Sequence, residues 1–156
     1  MATLTRVSYG GTAAIVTGMG LIVGFDSATA SRATLIGSLL LVAVADNLAD
    51  SLAIHAYQES ERLGSEQAFR STVTNFLTRL LVTASFVILA LALPLGRLMP
   101  AALVWGMALL GTLTYFVARA RGAAPAPEVG KHIGVAIVVI VVSRAIGTWI
   151  LARVPG

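Results

Sequence analysis

Asp46 and Asp50 lie four residues apart inside the run VAVADNLADSLAIHAYQE. On a helix that spacing turns both carboxylates the same way. Asn47, Ser51 and His55 make the adjacent row, again at spacing four, and Glu59 continues it. A carboxylate near the centre of a membrane helix costs about 2.5–3.5 kcal/mol, and two of them one turn apart repel each other. A proton on one acid relieves that cost, as does a cation held between them. Both belong to transport. The first predicts a proton pathway through Asp46 and Asp50. The second predicts a metal site drawn from Asp50, Asp46, Asn47, His55 and Glu59. Oxygen donors with one imidazole and no thiolate suit Fe(II) or Mn(II). Met19 and Met107 add soft donors, although methionines more often fill gaps in a core. The run 59–81 has a helical period, with Leu63, Phe69, Val73, Phe76 and Leu77 on one side, and reads first as a solvated helix end at the lipid interface. The functional alternative is that Glu59, Glu61 and Glu66 make an acidic mouth that gathers cations, diluted by Arg62, Arg70 and Arg79. The plain alternative is a structural ion pair, and Arg144, read as the one cation within a span, is its expected partner.

The elements that must position these residues are apolar. The chain has 156 residues, 57% hydrophobic and 12% charged, with a mean hydropathy of +0.88. A soluble domain carries about 25% charged residues. Five segments reach or approach the ~20 apolar residues a spanning helix needs: about 7–25, 33–57, 76–96, 98–118 and 133–152, with 58–75 as a short cytoplasmic segment. The expected fold is therefore all-α, a single polytopic membrane domain of five transmembrane helices. Pro94 and Pro100 bracket the expected break between the third and fourth. Arg6, an apolar run and SATAS resemble a signal peptide, but one Arg is a thin basic region, so a permanent first span is expected.

With the N-terminus inside, Arg6, Arg62, Arg70, Arg79, Arg119, Arg121 and Lys131 fall in the cytosol and Arg32, Arg97 and Arg153 outside. Arg79 is the soft member, since the third helix could take it in, and without it the count is six against three. That asymmetry predicts N-in, C-out. Gly20 with Gly24, and Gly130 with Gly134, are small residues at the spacing that lets helices approach closely. Five helices make a thin wall around a polar path, so a homodimer is expected. The chain lacks cysteine, which excludes thiol nucleophiles and disulfides. It has no HExxH, GxSxG or phosphate loop, so no enzyme is expected. No basic patch is interleaved with aromatics, so no nucleic-acid partner is expected.

NLADSLAIHAYQE resembles the second transmembrane helix of the vacuolar iron transporter family, with Asn47, Leu48, Ala49 and Asp50 on the family's Asn-Leu and Ala-Asp positions. The Gly-rich first helix, the short loop of small residues and IGVAIVVIVVSRAIG in the last helix agree. The resemblance implies a dimeric exporter, here a reduced, bacterial-type member in the inner membrane. It would move Fe2+ or Mn2+ out of the cytosol in exchange for protons, with Asp50 on the pathway and no permanently bound cofactor. Gly10-Gly11 stands where the family has Asp-Gly, and the family's glutamate falls on Gln58, with Glu59 one place on. Asp46 is the residue expected to replace part of that ligand set. The competing expectation is a small integral-membrane scaffold or subunit whose intramembrane acids are structural.

Overall fold

The computed structural model describes residues 2–60 and 65–154, without the side chains of 2–9, 59, 60, 65, 67 and 68. Every regular element among them is a helix. Helix α1 runs Ala2–Ser27. Helix α2 is one continuous rod in three parts: Arg32–Leu41, a π-helical Val42–Asp46, and Asn47–Ser60. Helices α3 (Ser65–Ala92), α4 (Leu95–Ala120) and α5 (Pro125–Arg153) follow. All five are long and apolar enough to cross a membrane, as the sequence predicts.

Several boundaries differ from expectation. Helix α3 begins at Ser65 rather than near 76, so most of the expected cytoplasmic segment is its first three turns. Glu66 and Arg70 pair at 3.1 Å on that exposed end, the i,i+4 arrangement that supports a helix. The break before α4 is at Leu93–Pro94 alone. Pro94 takes the N-cap position, and Pro100 lies inside the helix. It stands sixth in the helix, past the free amides of the first turn, so it removes the bond that would run to the Gly96 carbonyl. Helix α5 starts at Pro125, whose fixed φ suits the first helical position, eight residues before the expected 133.

Each turn has a local cause. Ser31 caps α2 by accepting from the Thr34 amide at 3.1 Å. Gly122, at φ +72, ends α4 with bonds from the Ala123 amide to the Ala118 carbonyl and from its own amide to that of Arg119, a Schellman closure that favours glycine. Arg32 donates to the Leu93 carbonyl at 2.8 Å, so the start of α2 caps the end of α3.

Helix α1 lies at the centre and packs on the other four. Half of its span is buried, against 11% for α5. Towards the α1–α2 turn the core is apolar, built on Ile15, Met19, Ile22, Leu39, Phe86 and Leu98. Glycines let α1 pack this closely. A Cβ on Gly147 would strike the Gly24 carbonyl oxygen, and one on Gly20 would lie 3.0 Å from Ser143 Oγ. Gly130 and Gly134, expected to act the same way, have open space around them.

Candidate functional site: a charged cluster at mid-depth

The apolar core gives way to polar side chains where α2 meets α3. Helix α3 buries Ser71, Asn75, Arg79 and Thr83, each four residues on from the last. Helix α2 buries Asn47 and Ser51 at the same spacing. The two helices run antiparallel, so the rows meet rung by rung. Gln58 Nε2 donates to Ser71 Oγ at 2.8 Å. Thr72 Oγ1 lies 3.5 Å from His55 Nδ1, and Asn75 Nδ2 lies 3.5 Å from Ser51 Oγ. At the top, Arg79 Nε donates to Asn47 Oδ1 at 2.7 Å.

Arg79 uses the rest of its fork on the two acids. Nη1 donates to Asp50 Oδ2 at 2.8 Å and Nη2 to Asp46 Oδ2 at 2.6 Å. These are charge-assisted bonds in the planar geometry that guanidinium favours. The cluster sits near the middle of both candidate spans, Arg32–Gln58 and Phe69–Ala92. The Arg79 side chain is 5% exposed, Asp50 28% and Asp46 52%. One guanidinium therefore faces two carboxylates, and the outer carboxylate reaches the surface of the bundle. Gly10 of α1 closes the other side: a Cβ there would collide with Asn75 Oδ1 and come within 3.1 Å of Arg79 Cγ.

The π turn explains how α2 keeps its row in line. A row spaced by four drifts about 40° per step on a helix of 3.6 residues per turn. From Leu35 through Leu39, Ala43 and Asn47 to Ser51 that would total about 160°. The extra residue of the π turn Val42–Asp46 gives back about 100°. All five residues are consequently buried. The turn ends on Asp46, in keeping with the tendency of such bulges to sit at functional positions.

Several predicted site residues stand elsewhere. Arg144 is not the partner of the acids. It is exposed on α5, a helix that packs on α1 and α4 rather than on α2. Asn47 is no free ligand: its Nδ2 donates to the Ala43 carbonyl at 2.7 Å while its oxygen takes Arg79. Met19 is 1% exposed and abuts Gly106, a gap-filling role. Met107 also packs against the core. His55 belongs to the ladder beside Thr72, below the acids. The Glu59 side chain and all of Glu61 lie outside the described residues. No three His, Asp or Glu side chains among the described residues form a metal-holding group. The site residue that sequence reasoning missed is Arg79, counted with the cytoplasmic cations though open to placement in the third helix, where it lies. Its signal was the polar row Ser71, Asn75, Arg79, Thr83, which matches the row on α2.

Fold and site together define an all-helical chain with five membrane-length helices and a charged cluster buried at mid-depth. Comparison with protein families, curated proteins and solved structures finds no match.

Proposed function

We propose that this protein is a membrane carrier in which Asp46, Asp50 and Arg79 form a cation-exchange site. The observation that carries the reading is the imbalance of the cluster: two carboxylates share one guanidinium, and Asp46 is half exposed. A surplus negative charge at that depth is costly unless a mobile positive charge visits it. Arg79 engages only Oδ2 of each acid, leaving both Oδ1 atoms as acceptors. Asn75 Oδ1 and Gln58 Oε1 are buried without a hydrogen-bond partner among the described residues, so the ladder holds further acceptors for a proton or cation moving between α2 and α3. In this reading Arg79 is a tethered counter-ion that holds the acids while the cargo is absent. A proton or a metal ion takes its place on Asp46 first, the more accessible acid.

The resemblance of the Asn47–Asp50 block to the vacuolar iron transporter family supplies the rest of the proposal. The cargo is Fe2+ or Mn2+, leaving the cytosol of a bacterium across the inner membrane in exchange for protons, through a homodimer. The test is metal flux into liposomes with an internal pH dye. Wild type should move Fe(II) or Mn(II) with counter-flow of protons. Asp50→Asn and Asp46→Asn should each lower both fluxes at least tenfold while the protein stays folded. Unchanged flux in both variants overturns the carrier.

A second reading follows from how completely Arg79 is bonded. A guanidinium with every nitrogen paired also fits a scaffold whose cluster only fixes helix register. It predicts no metal or proton flux from wild type in the same liposomes.

A further inference from the structure

A second polar feature lies on the far side of α1. Where the start of α1, the end of α4 and the start of α5 meet, the helices leave a cavity of about 590 Å³. Its mouth holds Arg121, Glu128 and His132, and its walls run inward past Val117 and Thr114 to Leu113. The stretch from Arg121 back to Leu113 covers about 12 Å of helix, nearly all within the candidate span Leu95–Ala120. The cavity is thus charged at the bundle end and uncharged in depth, where Ala13 and Leu113 sit beside Thr12 and Thr114.

The charges at the mouth are not equivalent. Glu128 is neutralised by Lys131, Nζ to Oε1 at 2.8 Å. His132 Nδ1 is 2.9 Å from the Glu128 carbonyl oxygen, which makes that nitrogen a donor and leaves Nε2 for a ligand. Among the described residues the Arg121 guanidinium makes no hydrogen bond or salt bridge and acts on Glu128 only through space, so with Glu128 held by Lys131 the mouth keeps a net positive charge. Thr12 and Thr114 line the wall. Thr114 is 6% exposed, and among the described residues neither hydroxyl bonds back to its own helix, unlike those of Thr74, Thr78, Thr83 and Thr148.

We infer that this cavity binds the headgroup of an anionic phospholipid. The phosphate would sit on Arg121, the glycerol and ester oxygens beside Thr12 and Thr114, and the start of an acyl chain against Leu113 and Val117. A basic mouth over an apolar floor suits a molecule that is itself amphipathic, and basic pockets between membrane helices take such headgroups. A free phosphate would use the mouth alone. The inference does not depend on transport.

The test is thermal unfolding of the full chain in detergent micelles with phosphatidylglycerol, phosphatidylcholine or inorganic phosphate added. Phosphatidylglycerol should raise the melting temperature saturably, and phosphatidylcholine should do so far less. Arg121→Gln should weaken the apparent phosphatidylglycerol affinity about tenfold, the scale of losing a hydrogen bond to a charged group. Thr114→Val should weaken it by a smaller factor. Arg97→Gln, at the other end of the bundle, should leave it unchanged. Equal stabilisation by both lipids, wild-type affinity in Arg121→Gln, or an equal shift with inorganic phosphate would each overturn the assignment.

Discussion

At the scale of single residues, Arg79 decides the fate of the two acids. Removing one member of a buried ion pair costs about 3–5 kcal/mol, because the remaining charge is left unpaired in a medium that solvates it poorly. Arg79→Gln leaves two carboxylates at mid-depth, so it should destabilise the bundle by about that amount. Asp50→Asn leaves Arg79 with Asp46 and Asn47 and should cost less. Asp46→Asn should cost least, since that side chain is half exposed. The double variant Arg79→Gln, Asp50→Asn keeps only Asp46, so its loss should fall short of the sum of the single losses by at least 1 kcal/mol. Melting temperatures of the four proteins in detergent supply the cycle. Strict additivity would mean that Arg79 and Asp50 do not interact, and the cluster described above would be wrong. Asn47 shows why residue type alone misleads. Asparagine beside two aspartates reads as a ligand, yet its acceptor is filled by Arg79 and its donor by Ala43.

At the scale of elements, apolar length made the five helices legible, because the bilayer thickness sets a demand that composition can meet or fail. The rows at spacing four on α2 were legible for the same kind of reason. Their alignment was not, because a π turn leaves no mark in hydropathy. The start of α3 was half legible. The helical period of 59–81 marks a helix end, but its join to the third span was not legible, because a helix that leaves the apolar layer trades hydrophobic residues for charged ones and the span was bounded by its apolar run. The partner of the acids was misread because the third span was counted from its charge-free run at Leu80, which left Arg79 at its edge, whereas its own row of Ser71, Asn75 and Thr83 faces α2. The π turn itself can be tested. Deleting Ala45, exposed and inside Val42–Asp46, removes the extra residue and lets α2 become regular. Leu39 and Asn47 then keep the same face, so the protein should melt within a few degrees of wild type. Deleting Ala53, exposed and outside the turn, rotates His55 and Gln58 by about 100° relative to Ser51 and should break the lower ladder. A larger loss of melting temperature from the Ala45 deletion would show that the turn is not a single-residue insertion of this kind.

At the scale of the whole molecule, the bundle is unevenly finished. Its centre is α1, its apolar half is closed, and its polar half presents Asp46 on the outside of α2. On the same helix, Leu41, Val44, Leu48 and Leu52 are all more than half exposed. Lipid tails suit those four but not a half-exposed carboxylate at mid-depth, which calls for a polar or charged surface against it. A second copy placed on this face is the form of the proposed homodimer that the cluster favours. It would bring two Asp46 carboxylates towards one axis, where a shared cation gains most. The absence of cysteine makes the arrangement testable without background. Single cysteines at Ala45, Ala49 and Ala53, all exposed on α2, would be oxidised in native membranes. A disulfide forms only when Cα atoms come within about 4.4–6.8 Å, so linking should peak at one or two of these positions and fade at the others. Ala145→Cys, exposed on α5, should stay monomeric. Dimers through Ala145 with none through α2 would place the second copy on the other face, leave Asp46 without its counterpart, and remove the shared axis from the proposed exchange site.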